Sequence, residues 1–76
     1  MVRAYVTVKA HTGDADTIRD AIAAVEGVER AHIVAGDIDL IAVVDVDSPA
    51  AVKDVAATHI QNIEGVADTQ TYIAME

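Results

Sequence analysis

The feature that most constrains the fold of this chain is an internal repeat. The segment VEGVERAHIVA from Val25 returns 38 residues later as IEGVADTQTYI from Ile63, and IRDAI from Ile18 returns as VKDVA from Val52. The first strand-like stretch maps onto the third with the same offset, whereas the helical segments map with an offset of 34. The difference is about one helical turn, so the second helix is predicted to be longer by a turn. Each half is therefore predicted to be one strand–helix–strand unit.

Apolar periodicity and cap residues predict the elements of each half. Residues 2–10 alternate between apolar and polar side chains, as in a strand with one buried face, and a last strand is predicted from about residue 66 to 75. Asp14 is the predicted N-cap of the first helix, and Ser48 followed by Pro49 starts the second. Gly27 and Gly65 are predicted to end the two helices. The predicted inward stripes are Ile18, Ala21, Ile22 and Val25, then Val52, Val55, Ala56, Ile60 and Ile63.

Two such halves predict a βαββαβ chain of the ferredoxin-like α+β class, with a four-stranded antiparallel sheet and both helices on one face. The 76 residues can hold one core, so a single domain over residues 1–76 is expected. In the third strand, Ile41 and Val43 point away from the helices. An apolar patch on the helix-free face predicts dimerisation through the sheet, as in a dimeric α/β barrel.

The charge balance excludes several classes of partner. Thirteen acidic residues against five basic ones give a net charge of -8, which repels a phosphate backbone, and the chain has no Phe or Trp on which bases could stack. Nucleic acid is therefore not an expected partner.

The sequence also indicates where the protein is found. No apolar stretch approaches 18 residues and no secretion leader is visible, so a cytoplasmic protein without membrane contact is expected. Nine Asp, two Lys, fifteen Ala and twelve Val are similar to cytoplasmic proteins of salt-loving archaea. Such a chain is expected to loosen when it is desalted.

The stretch IVAGDIDLIAVVDV, residues 33–46, is the most apolar part of the chain and has two acids, Asp37 and Asp39, in its middle. Gly36 and Asp37 fit a two-residue type II′ hairpin, in which glycine takes the first central position. This turn does not explain Asp39. Its carboxylate is predicted to share the strand face of Ile41 and Val43, where an unpaired charge is costly. Asp39 therefore needs a cationic or hydrogen-bonding partner, or a position at the solvent-exposed edge of the subunit contact.

These residues carry a family resemblance. The βαββαβ order, the GV repeated after each helix and, above all, VAGDIDL at residues 34–40 resemble the effector-binding (RAM) domain of the Lrp/AsnC feast-or-famine transcription regulators. The resemblance covers residues 2–75, and its most specific feature is the G-D-x-D-L turn before an alternating apolar strand. Full members carry an N-terminal helix-turn-helix domain. This chain begins at the first strand of the effector domain, so the expectation is a stand-alone form.

The resemblance implies a regulatory function without catalysis or a cofactor. Members dimerise through their sheets, commonly close four dimers into an octamer and bind free amino acids between dimers. The chain is thus expected to modulate transcription indirectly, alone or by co-assembly with full-length Lrp/AsnC regulators. The ligand residues implied at matching positions are Gly36, Asp37, Ile38 and Asp39 in the hairpin and Thr69, Gln70 and Thr71 in the last strand. Carboxylates suit an α-amino group, whereas backbone N–H groups and hydroxyls suit an α-carboxylate. The two threonines also fit plain strand propensity.

Other chemistry finds less support in the sequence. His11, His32 and His59 lack the spacing of a metal site, so no metal is expected, although His32 aligns with Gln70 in the repeat and is predicted to face the same side. Asp37 and Asp39 lack the pocket that a catalytic pair requires. The alternative function is a small dimeric α+β barrel enzyme of the monooxygenase type. The near-absence of aromatic residues argues against that enzyme.

Overall fold

The computed structural model describes residues 1–11 and 14–75. In chain order the elements are β1 (Val2–Ala10), α1 (Ala15–Ala23), β2 (Val28–Ile33), β3 (Leu40–Val46), α2 (Pro49–Lys53), a π-helical segment (Asp54–Ile60) and β4 (Val66–Ile73). The four strands form one antiparallel sheet in the order β2-β3-β1-β4. This is the predicted ferredoxin-like α+β arrangement. Among the described residues, no helix has the length and apolar character needed to cross a membrane.

The internal repeat is visible as symmetry within the sheet. Val2 pairs with Val46, and Val8 pairs with Leu40, so repeat-equivalent residues exchange partners across the central strand pair. Tyr5 pairs with its own repeat equivalent, Val43, which places the local two-fold axis at this pair. The two halves therefore meet along β1 and β3, while β2 and β4 form the edges.

A single core lies between the sheet and the helices. Its members are apolar, and nearly all are fully enclosed: Ala4, Val6, Val8, Ile18, Ile22, Leu40, Ala42, Val44, Val52, Val55, Ala56 and Ile60. They come from alternate positions of β1 and β3 and from the inward stripes of the helical segments, as the periodicity predicts. Burial of this face fixes the register of the strands, because a slip of one residue would turn the opposite face inward.

The predicted helix starts are confirmed, but the predicted helix ends are wrong. Asp14 occupies the N-cap of α1, and Ser48 Oγ accepts a hydrogen bond from Ala51 N at 3.2 Å. Helix α1 ends at Ala23, before the predicted glycine cap. Val28 N instead donates to Val25 O at 3.1 Å around Gly27, and the second half repeats this bond across Gly65. Both glycines have positive φ, at +98° and +97°, as at the third position of a type II turn. The EGV repeat thus reverses the chain into the next strand rather than capping a helix.

The second helical stretch contains a feature that the sequence pattern did not predict. After α2 the chain continues as the π-helical segment Asp54–Ile60, and Gln61 N donates to Ala56 O at 3.1 Å. Val55 and Ile60, five residues apart, both enter the core. The wider turn therefore keeps this stretch packed on the sheet.

Candidate functional site

The helix-free face of the sheet is less apolar than predicted. Tyr5 pairs with Val43 on one side and with Tyr72 on the other, so the three side chains form a row across this face. Val43 is buried, whereas Tyr5 is 39% and Tyr72 is 53% exposed. Charged and polar side chains of the same face surround this row. The face is therefore a mixed surface with an exposed aromatic centre.

An ion-pair network lies at one end of this face. Arg3 Nε donates to Asp45 Oδ1 at 2.9 Å and Arg3 Nη2 donates to Asp45 Oδ2 at 2.8 Å, while Nη2 also reaches Glu29 Oε2 at 3.0 Å. The paired Arg3 hydrogen bonds lower the pKa of Asp45 from 3.8 to about 2. The same partner raises the pKa of Arg3 above its ordinary value. Within the described chain, Arg3, Asp45 and Glu29 are thus paired with one another.

The acidic hairpin lies at the opposite end, and it is not the predicted type II′ turn. Ile33 pairs with Leu40, and Val34 N donates to the backbone oxygen of Asp39 at 2.9 Å, which leaves four residues in the loop instead of two. Gly36 has φ of +154°, far from the value that a type II′ turn requires. Within the described chain, the N–H groups of residues 35–38 have no backbone partner. The open loop can therefore donate hydrogen bonds to an anion.

Asp39 holds this loop against β1. Its backbone N donates to Val8 O at 2.9 Å, and its Oδ2 accepts from Ala10 N at 2.8 Å. The second bond occupies the Ala10 N–H beyond the last β1–β3 pair, Val8 with Leu40. The prediction that Asp39 needs a hydrogen-bonding partner is thus confirmed, and that partner is the backbone N–H of Ala10 at the end of β1. The chemical role of Asp39 is to position the loop.

A hollow of about 170 Å³ lies beside the loop on the helix-free face, and it is lined by Thr7, Lys9, Ile38, Asp68, Thr69 and Gln70. Lys9 and Asp68 are cross-strand partners of β1 and β4, so the hollow carries one cation and one carboxylate. Sequence reasoning missed both residues. The alternation of β1 places Lys9 on this face, but only the register between the first and last strands brings Asp68 opposite to it.

The predicted ligand residues divide between two places. Ile38 and Gln70 border the hollow, and Asp37 lies exposed in the loop. Thr71 pairs with Val6 and Thr69 with Val8, so both threonine side chains point to the helix side. Thr69 Oγ1 accepts a hydrogen bond from Gln61 Nε2 at 2.8 Å there. The structure therefore does not bring the two hydroxyls together with the hairpin.

The histidines are separated from one another. His32, Ile41, Thr7 and Gln70 form a row across the four strands, which confirms that His32 and Gln70 face the same side. His59 Nε2 lies 3.6 Å from Asp54 Oδ2 on the π-helical segment. Across residues 1–11 and 14–75, no three His, Asp or Glu side chains are grouped as metal ligands.

Comparison with known proteins agrees with this geometry. The family described as Lrp/AsnC ligand binding domain matches residues 3–76. The leucine-responsive regulatory protein of Haemophilus influenzae is 36% identical over 56 residues, which are 74% of this chain and 34% of that protein. The chain thus matches about a third of the length of this relative. The alternative of a monooxygenase-type enzyme receives no support from these matches, since the family and this relative are regulatory.

Solved structures share the whole fold. TTHA0845 from Thermus thermophilus superposes with a TM-score of 0.93 at 29% identity, covering 100% of this chain and 95% of that one. A feast or famine regulatory protein from M. tuberculosis, complexed with L-methionine, superposes with a TM-score of 0.82 at 23% identity, over 100% of this chain and 51% of that one. At this low identity, the likeness to the M. tuberculosis protein shows only that the two chains share a fold. With its family match over residues 3–76, this chain belongs to the Lrp/AsnC ligand-binding domain family.

Proposed function

We propose that this domain binds a free amino acid in the hollow beside the hairpin and acts as an effector-sensing module in transcription regulation, without catalysis. The observation that carries the proposal is that Lys9 and Asp68 are neighbours across β1 and β4 and line one hollow, which Ile38 borders. A zwitterion carries both charges on adjacent groups. Lys9 and the N–H groups of the loop can bind its α-carboxylate, and Asp68 can accept from its α-amino group.

The size of the hollow supports a role for a second copy of the chain. Ligand sites typically enclose about 300–1,000 Å³, whereas this hollow holds about 170 Å³ and is open to the helix-free face. The same face exposes Tyr5 and Tyr72. A dimer formed through the sheets covers these rings, and assembly of dimers, up to an octamer, completes the walls of the site.

The regulatory step is proposed to be indirect. A net charge of -8 disfavours contact with DNA by this domain. We propose that ligand binding changes its co-assembly with full-length Lrp/AsnC regulators, which supply the DNA-reading part. Support comes from the family match and from the named regulatory relative.

The test is a thermal-shift screen of the twenty amino acids in concentrated KCl, paired with light scattering. A ligand at about ten times its Kd adds about 1.4 kcal/mol to the free energy of unfolding, worth several degrees in a domain of this size. Selected amino acids should raise the melting temperature, and the scattering mass should be that of a dimer or larger assembly. Lys9→Gln and Asp68→Asn should each reduce the shift.

Lys53→Gln is the matched control, since it removes the same charge from a lysine on the helix side. It should leave the amino-acid shift intact. The proposal fails if no amino acid raises the melting temperature, or if the shift survives both Lys9→Gln and Asp68→Asn. A monomer that binds with full affinity would overturn the assembly step.

A further inference from the structure

The basic residues fall into two groups. Each arginine lies close to a carboxylate: Arg3 to Asp45 at 2.8 Å, Arg19 to Asp20 at 3.1 Å and Arg30 to Glu29 at 3.7 Å. Lys9 and Lys53 have no ion pair with any described residue. In a chain with thirteen acidic residues, a lysine that forms no ion pair within the described chain can bind a carboxylate from outside. Each of the two lysines borders a hollow, and only the Lys9 hollow is used by the proposed function.

The Lys53 hollow lies on the other side of the sheet, between β4 and the second helical stretch. It measures about 310 Å³, at the lower end of the range of about 300–1,000 Å³ found for small-molecule sites. Its lining contains apolar walls, hydroxyl and amide groups and one cation: Pro49, Val52, Lys53, Ala56, Ala57, Gln61, Thr69, Thr71 and Ile73.

The polar groups of this hollow are suited to an anion. The Lys53 ammonium and the Thr71 hydroxyl can both donate hydrogen bonds, and Thr71 has no other partner in the described chain. The Gln61 amide is fixed by its bond to Thr69 Oγ1, at 2.8 Å, which ties the chain after the π-helical segment to β4. Among residues 1–11 and 14–75, no carboxylate lines the hollow. A ligand ammonium would thus find no charged acceptor, in contrast to the Lys9 hollow with its Asp68.

The backbone supplies an independent observation. Ala56 and Ala57 of the π-helical segment form part of the wall. π-Helical turns are rare and occur frequently at functional sites. The two threonines that match the family pattern also contribute to this hollow, although their side chains point away from the hairpin.

We propose that the Lys53 hollow is a second binding site, specific for a small apolar monocarboxylate that has no amino group. The ligand class comprises short branched-chain carboxylates and 2-oxo acids. Lys53 and Thr71 bind the carboxylate, while Val52, Ala56 and Ile73 contact the apolar body. The domain would then distinguish an amino acid from its deaminated carbon skeleton, since one hollow carries both charges and the other only a cation.

The test compares 4-methyl-2-oxopentanoate with leucine, which has the same carbon skeleton, by two-dimensional NMR of backbone amides in concentrated KCl. The oxo acid should shift the amides of Lys53, Ala57 and Thr71, and leucine should bind there more weakly. Lys53→Gln should weaken oxo-acid binding by roughly tenfold, the effect of one charge-assisted hydrogen bond. Lys9→Gln, the matched control, should leave that affinity unchanged.

Two further results are decisive. If Lys53→Gln alters the fold, as judged from amides far from the hollow, Thr71→Val keeps the shape of the side chain, removes the hydroxyl and should still weaken the oxo acid. The proposal is overturned if the three amides do not move up to the solubility limit, if neither variant changes the affinity, or if leucine binds in this hollow as tightly as the oxo acid.

Discussion

At the scale of single residues, the two hairpin acids have different roles despite their shared motif. Asp39 is partly enclosed, and its carboxylate accepts the hydrogen bond of Ala10 N at 2.8 Å. Asp37 is exposed and has no such bond among the described residues. The sequence indicated that Asp39 needs a partner but could not identify it, because that partner lies on β1, 29 residues away. Asp39, one of the two hairpin carboxylates expected to bind a ligand, thus anchors the loop to β1.

Asp39→Ala should therefore destabilise the fold, whereas Asp37→Ala should not. The first change leaves the Ala10 N–H without its acceptor, at a cost of about 1–3 kcal/mol in the free energy of unfolding. The second is a surface change worth within about 0.5 kcal/mol. Urea unfolding in concentrated KCl measures both. Equal stability of the two variants would show that the Asp39 bond is dispensable.

The Arg3–Asp45 ion pair makes a pH-dependent contribution to the free energy of unfolding. Its Arg3 hydrogen bonds lower the pKa of folded Asp45 to about 2 from 3.8, so the pair stabilises the fold above 3.8 and loses this effect as the pH falls towards 2. Arg3→Gln should move the pKa of Asp45 back towards 3.8, as followed by NMR titration of its carboxyl carbon. Arg19→Gln, which affects the separate pair with Asp20, should leave that titration unchanged. A wild-type Asp45 that titrates at its ordinary value would refute this assignment.

At the scale of elements, apolar periodicity predicted the strands and helices that have one buried face. It failed for the π-helical segment and the hairpin loop, whose geometry depends on tertiary contacts. The alternation of residues 2–10 matches β1, Val2–Ala10, because one face of that strand is enclosed. The stripe over residues 52–63 fits both an α-helix and a wider turn, so the π-helical segment left no distinct signal. The tight hairpin was predicted from local turn propensity, but the Asp39 bonds to β1 hold a wider loop.

The candidate site was predicted only in part for the same reason. Ile38 and Gln70 were found through the family pattern, and they border one hollow. Lys9 and Asp68 become neighbours only through the pairing of β1 with β4. Their separation of 59 positions leaves no local pattern to detect. Charge pairs across non-consecutive strands require the register, which a single sequence does not provide.

The two EGV turns should respond differently to alanine. Both glycines have positive φ, which costs a side-chain-bearing residue about 1–2 kcal/mol. A Cβ on Gly27 would lie 3.0 Å from Val46 Cγ1 and 3.1 Å from Val55 Cγ2, which are stiff, β-branched side chains. A Cβ on Gly65 would lie 3.0 Å from Ile18 Cδ1, which is the far end of that side chain and can shift by a rotation about χ2. Gly27→Ala should therefore lower the melting temperature more than Gly65→Ala, and the reverse order would contradict the packing argument.

At the scale of the whole molecule, electrostatic repulsion among the excess carboxylates extends over the full length of the domain in dilute salt. The Cα framework measures 33 × 21 × 17 Å. The Debye length is about 30 Å at 0.01 M salt and about 3 Å at 1 M. In dilute salt every carboxylate thus repels nearly every other, whereas in molar KCl only direct neighbours interact. Self-repulsion of this kind disfavours the compact state.

The melting temperature should accordingly rise from dilute to molar KCl, and the rise should depend on net charge. Asp47 and Glu64 are exposed and form no ion pair within the described residues. The double variant Asp47→Asn, Glu64→Gln changes the net charge from -8 to -6 without removing a described contact. It should melt higher than the natural chain in dilute salt and gain less from KCl, with the two curves converging near 1 M, where screening is nearly complete. Scanning calorimetry across a KCl series measures this convergence. Parallel curves would mean that KCl acts through general effects on hydration rather than through charge repulsion, because only screening acts differently on the two chains.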